Sequence, residues 1–183
     1  MLKMKTKILA LAVAFFIAAT SAVAASHTNS KDDVNFQTEN QVRKSILKLP
    51  YYGVFDNIAF EVVGDTVTLY GQVVRPTTRS DAVKRIAKIE GVDKVVNKIE
   101  VLPLSSFDDA IRARTYRAVF SKGSLYRYAA GTNPSLHIVV KNGRVTLEGV
   151  VANRSDSNLA NIAANGVSGV FSVTNNLRVE GNS

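Results

Sequence analysis

One internal repetition constrains this chain more than any other feature. The phrase VTLYGQVV at Val67 returns as VTLEGVVA at Val145, 78 positions later. Residues 58–101 lie over residues 136–179 at that spacing without a gap, and about a quarter of the positions agree, including Val62 with Val140, Leu69 with Leu147 and Ala82 with Ala160. Two units are too few for a solenoid, which needs about three to bury its faces. The chain must instead build two small domains of one fold.

Each copy reads as helix, strand, strand, helix, strand. Thr38 with Gln41, and Ser106 with Asp109, have capping-box spacing and place a helix start in each copy. Val42, Ile46 and Leu49 then recur at helical spacing, as do Ile111, Ala118 and Val119 more loosely. Ile58, Phe60 and Val62 alternate up to Gly64-Asp65, which predicts a type II′ hairpin turn, and Asn142-Gly143 predicts type I′ in the second copy. A two-residue loop fixes the register, so Val62 opposes Val67, Phe60 opposes Leu69, Val140 opposes Val145 and Ile138 opposes Leu147. Gly71 and Gly149 fall opposite Ile58 and Leu136 on the apolar face, where a missing side chain admits a helix backbone or permits a bulge.

A second helix is expected over residues 79–90, with Ala82, Val83, Ile86 and Ile89 inward and Gly91 as a left-handed cap. Its counterpart carries Ala160, Ala163, Ala164 and Val167 up to Gly169, with an irregular last turn at Asn165-Gly166. The final strands place Asn97 and Asn175 among inward apolar residues, so both asparagines are expected to be half-buried and bonded to backbone. The predicted class is α+β: two αββαβ domains, residues 37–102 and 106–180, each a three-stranded mixed sheet covered on one face by two helices. The short, half-apolar link Leu102-Pro103-Leu104-Ser105 predicts that they pack together.

The first 25 residues read as an export signal. Lys3, Lys5 and Lys7 precede the apolar run from Ile8 to Ala19, which is shorter than a bilayer span, and Ala22-Val23-Ala24 is a small-residue cleavage site. Cleavage is expected after Ala24 or Ala25, and intact-mass measurement of the protein from an envelope fraction checks it. A soluble periplasmic or secreted protein follows, with residues 26–36 as a mobile segment. The chain has no cysteine, hence no disulfide and no thiol for lipid attachment.

The endings GV-x-x-V-x-N-x-I/L-x-V at Gly91 and Gly169, with the two VTL phrases and the exported setting, resemble the BON domain, a family named for bacterial osmotic-stress and nodulation-related proteins. LPYYGVFDN, FDDAIRARTYRAVF and NGVSGVFSVTNNL are similar to a tandem-BON subgroup of secreted bacterial proteins. The resemblance implies a three-stranded sheet with two helices per domain, a role at the bacterial envelope often described as phospholipid or membrane-surface binding, and no catalytic residues. It departs from lipid-anchored relatives, since no lipobox cysteine follows the leader.

The chemistry points the same way. His27 lies in the terminal segment and leaves His137, which the register sets opposite Glu148 and away from the core, as a surface cross-strand pair. One imidazole makes no zinc cluster, and no P-loop, dinucleotide fingerprint or acidic calcium loop occurs. Neither an enzyme, nor a cofactor, nor a small-molecule substrate is expected. Nucleic acid is excluded by export and by strands without stacked exposed aromatics. Asn153-Arg154-Ser155 spells a glycosylation sequon, whose use a bacterial setting disfavours.

The copies differ most between the first helix and the hairpin, where the second holds nine more residues, within KGSLYRYAAGTNPS. With the helix before it, this segment gathers Arg112, Arg114, Arg117, Lys122 and Arg127 among Tyr116, Tyr126 and Tyr128. Cations near an anionic bilayer gain about 1 kcal/mol each, and aromatic rings favour the headgroup region. The expected lipid-binding residues are Arg112, Arg114, Arg117, Lys122, Tyr126, Arg127 and Tyr128. The alternative is an adaptor that recruits another envelope protein through a sheet edge or exposed sheet face.

Overall fold

The computed structural model describes residues 30–131 and 133–181. The leader, its cleavage site and His27 lie outside the described residues. The first module comprises α1 (Ser30–Leu47), β1 (Asn57–Val63), β2 (Thr66–Val73), α2 (Pro76–Ile86) and β3 (Lys94–Val101). The second comprises α3 (Ser106–Phe120), a 3₁₀ helix (Gly123–Ala129), β4 (Leu136–Lys141), β5 (Arg144–Val151), α4 (Arg154–Asn165), β6 (Ser172–Asn175) and β7 (Arg178–Val179). In each, the middle strand pairs antiparallel with its hairpin partner and parallel with the last strand, giving two mixed sheets; the first has the three strands expected, whereas the last strand of the second is broken into β6 and β7, both paired with β5.

The hairpin registers are those predicted, Val62 on Val67, Phe60 on Leu69, Val140 on Val145 and Ile138 on Leu147. Asn142 and Gly143 both take positive φ, +50° and +73°, as type I′ requires, whereas in the first turn Gly64 alone does, at +61°. This parity turns Val67, Leu69 and Val73 of one module, and Val145, Leu147 and Val151 of the other, inward beneath the helices. Fully burying a leucine such as Leu69 or Leu147 contributes roughly 1.5–3 kcal/mol.

The role of Gly71 and Gly149 needs correcting. No helix backbone approaches them. Their φ values are +109° and +114°, and a Cβ there would lie 2.1 Å from the carbonyl oxygens of Asn57 and Ser135, in the chain leading into or opening the neighbouring strand. Both are strand kinks at which the hairpin closes on itself.

The helix ends also shift. Thr38 is buried within α1, which starts at Ser30, so it caps nothing, and residues 30–36 belong to that helix instead of a mobile segment. The apolar periodicity that begins at Val42, after the apparent capping box at Thr38, marks where packing begins and not where the helix starts. In α3 the cap is Ser105, one residue earlier than expected, and its side chain accepts a hydrogen bond from the Asp108 amide at 3.1 Å. Helix α2 runs from Pro76 to Ile86, not 79–90, because Pro76 is pre-set for a first turn. Gly91 and Gly169 hold left-handed φ, +82° and +89°, after an irregular turn and not directly at a helix cap.

The asparagines bond to backbone as expected but are exposed instead of half-buried. The Ile99 amide donates to Asn97 Oδ1 (3.0 Å), and the Leu177 amide donates to Asn175 Oδ1 (3.2 Å). Asn175 Nδ2 also donates to the Ser157 carbonyl oxygen and hydroxyl, which ties β6 to α4.

The modules pack on one another. Val54 and Phe55 leave the first module to join the core of the second, and the Ile138 amide donates to the Val54 carbonyl at 2.7 Å. His137 does oppose Glu148, but it is buried and not on the surface. Its Nδ1–H donates to the Gly53 carbonyl (3.2 Å), and its ring lies 5.5 Å from that of Tyr52. Burial pushes the Tyr52 phenol up to about 12 and lowers the His137 imidazole below its ordinary 6.5. A histidine held neutral on folding binds more protons unfolded, so its contribution is present at neutral pH and is lost as pH falls below about 6.5. Burial raises Asp56 and gives it the opposite sign, so the parent curve alone does not isolate His137. The difference does: between pH 7.5 and 5.5 the melting temperature of the parent should fall further than that of His137→Asn.

Candidate functional site

The nine-residue difference between the copies is the 3₁₀ helix and the loop after it, and one carboxylate holds that element down. Asp156, in the first turn of α4, accepts from the Ser124 hydroxyl (2.6 Å) and the Tyr128 hydroxyl (2.5 Å) and pairs with the Arg127 guanidinium. The Ser124 hydroxyl, then Tyr128 and Arg127, hold Asp156 below the usual carboxylate range. Its pinning is therefore complete above the ordinary carboxylate pKa and is lost only in stronger acid. Asn153, of the sequon, is the helix cap: its Oδ1 accepts from the Asp156 amide at 2.8 Å. Nothing singles out this cluster in the sequence except the Asn153–Asp156 spacing of an N-cap.

This packing divides the seven expected lipid-binding residues. Arg112 is 4% exposed; its Nη2 donates to the Val140 carbonyl at 2.7 Å and its Nη1 pairs with Asp109 at 2.5 Å, so it ties α3 to β4 and is withdrawn from the site. Tyr128 is likewise buried, donating to Asp156 and accepting from the Ala152 amide. Arg127 is exposed, but Asp156 and the Tyr128 ring engage it. Arg114 is half-buried and turns toward Gly169, where a Cβ would meet its Nη2 at 3.2 Å. Arg117, Lys122 and Tyr126 remain exposed, Tyr126 to 69%.

Around these three the structure adds what the sequence did not assemble. Tyr116, Arg117, Phe120, Tyr126 and Ala129 line an open depression of about 590 Å³, and Tyr116 and Arg117 also line a shallower one of about 400 Å³ with Phe55. The Phe55 ring meets Tyr116 edge-on at 6.2 Å, and Tyr116 stands 4.9 Å from Phe120. An aromatic floor contributed by both modules thus lies beside the Arg117 cation. Among the described residues no group of three or more histidines and acids could hold a metal, and no helix is long and apolar enough to cross a membrane.

No curated protein matches the chain. Among solved structures it is similar to the C-terminal domain of CdsD, the structural protein of the Type III secretion system of Chlamydia trachomatis. That match has 10% identity over 76% of this chain and 96% of that one, with a TM-score of 0.30. A second CdsD structure gives 11% identity over 77% and 91%, with a TM-score of 0.27; likenesses this slight carry no argument. The family comparison is decisive, since the BON domain model matches residues 30–103 and again residues 108–181. This chain belongs to the BON domain family, as two BON modules in tandem.

Proposed function

We propose that this protein is exported to the bacterial envelope and binds the surface of anionic phospholipid membranes, supporting envelope integrity under stress. The observation that carries the reading is the exposed floor of Tyr116 and Tyr126 flanked by Arg117, with Lys122 exposed at the start of the 3₁₀ helix. Aromatic rings at headgroup depth and cations facing phosphates are the two interactions an interfacial protein needs. The element presenting them is pinned through Asp156, so little ordering cost remains on binding. The adaptor alternative would use a sheet edge or an exposed sheet face; on one such edge, β3, Lys94 and Lys98 are charges of the kind that blunt strand addition.

Cosedimentation with phosphatidylglycerol vesicles tests the proposal. Binding should weaken with salt and vanish on phosphatidylcholine. Replacing Arg117 and Lys122 by glutamine and Tyr126 by serine should weaken it roughly 30-fold or more, at about 1 kcal/mol per cation with a further loss from the ring. Parent-like binding by that variant would remove this site, and a parent chain that does not bind the vesicles would advance the adaptor reading.

A further inference from the structure

The duplication supplies an internal control for surface features, and the basic face of α2 does not repeat. Along α2 and its cap the first module places Arg75, Arg79, Lys84, Arg85 and Lys88, all exposed and none within an ion pair among the described residues. At the constant spacing of the repeat their counterparts are Asn153, Ser157, Ile162, Ala163 and Gly166, none of them charged. Helix α4 folds at the corresponding place on the second module's own sheet without a single one of these cations. Neither the helix nor the fold therefore requires them.

Lys84, Arg85 and Lys88 line a surface cavity of about 530 Å³ together with Pro50, and Asp81 is the one carboxylate there. Beside Pro50 stands Tyr51, 69% exposed and held at φ +65°, a left-handed conformation that strains a non-glycine residue. Its ring carries the Arg75 guanidinium at 4.6 Å. A strained, exposed tyrosine stacked on a cation, next to three more cations, reproduces in the first module the combination of ring and positive charge found around Tyr126.

We infer that α2 and the Pro50–Tyr51 corner form a second membrane contact, which binds the phosphates of anionic lipid headgroups mainly through Lys84, Arg85 and Lys88. The occupant follows from charge complementarity, with an aromatic ring at the rim where an interfacial one belongs. The inference shares the membrane reading of the chain but not its site.

The test uses the whole chain and phosphatidylglycerol vesicles at low salt. The triple variant Lys84→Gln, Arg85→Gln, Lys88→Gln should bind about 100-fold more weakly, with an unchanged melting curve. If it melts early, the single change Lys88→Gln carries the test, with an expected loss of about fivefold. Parent-like binding by these variants overturns the inference even if the Arg117, Lys122 and Tyr126 variant loses binding. Loss in the α2 variants with parent-like binding in the other set upholds the inference and overturns the second-module site. A parent chain that does not bind the vesicles at all overturns both.

Discussion

Alanine at Gly149 should destabilise the second module by about 3–5 kcal/mol. Two costs coincide there. The backbone sits at φ +114°, which a residue with a Cβ rarely adopts, and that Cβ would meet the Ser135 carbonyl oxygen at 2.1 Å. The Ser135 oxygen has no freedom to yield, because it accepts the Val150 amide at 2.9 Å as the hairpin closes. For a module of this size the melting temperature should fall by roughly 15–30 °C. Gly71→Ala should do the same to the first module, with the Asn57 oxygen in the same place. Gly53→Ala is the control: nothing lies within 4 Å of its Cβ, and thermal melts should show a shift of at most a few degrees.

Removing residues 107–183 should lower the melting temperature of the first module by about 10–20 °C. The truncation exposes Val54 and Phe55, which the second core covers, and strands the Val54 carbonyl that Ile138 engages at 2.7 Å. It also uncovers Tyr52 and Gly53, against which His137 packs. Small cores have little stability to spare, so about 2–3 kcal/mol of lost apolar burial is a large fraction of the total. Differential scanning calorimetry checks this, and an unchanged transition in the truncated chain would mean that the modules fold independently.

The parts of the fold legible in the sequence are those set by short-range rules. Hairpin register followed from a period of two and a two-residue turn, so Phe60 on Leu69 and Ile138 on Leu147 could be written down at once. Helix starts were less legible, because the residues of α1 before Thr38 carry little apolar periodicity and Pro76 marks a start without packing inward. What depends on the other module was not legible at all. His137 is placed correctly opposite Glu148, yet whether that face meets water is decided by Gly53 and Tyr52, 84 residues from His137 in the case of the hydrogen-bonded Gly53. The site suffered likewise: composition made Arg112 and Arg117 equivalent, whereas one helix face buries the first against the Val140 carbonyl and leaves the second exposed.

The same packing explains why a mildly basic chain can have a directed surface. Several cations of the second module are consumed internally, Arg112 by Asp109 and Val140, and Arg127 by Asp156. Two that stay exposed border aromatic rings, Arg117 beside Tyr116 and, in the first module, Arg75 on Tyr51. A surface so arranged gains from phosphates and from the headgroup region together, whereas a merely solvated charge gains from neither.

The chain contains no tryptophan, so Tyr126→Trp installs a single reporter at the exposed centre of the proposed contact. Its fluorescence on phosphatidylglycerol vesicles tests the membrane reading most directly. The account predicts a blue shift on binding, quenching by lipids brominated near the headgroup, and loss of both at high salt and on phosphatidylcholine. Emission that stays at its aqueous wavelength in a chain that also fails to cosediment with the vesicles would contradict it, whereas cosedimentation without a shift would contradict the Tyr126 site alone.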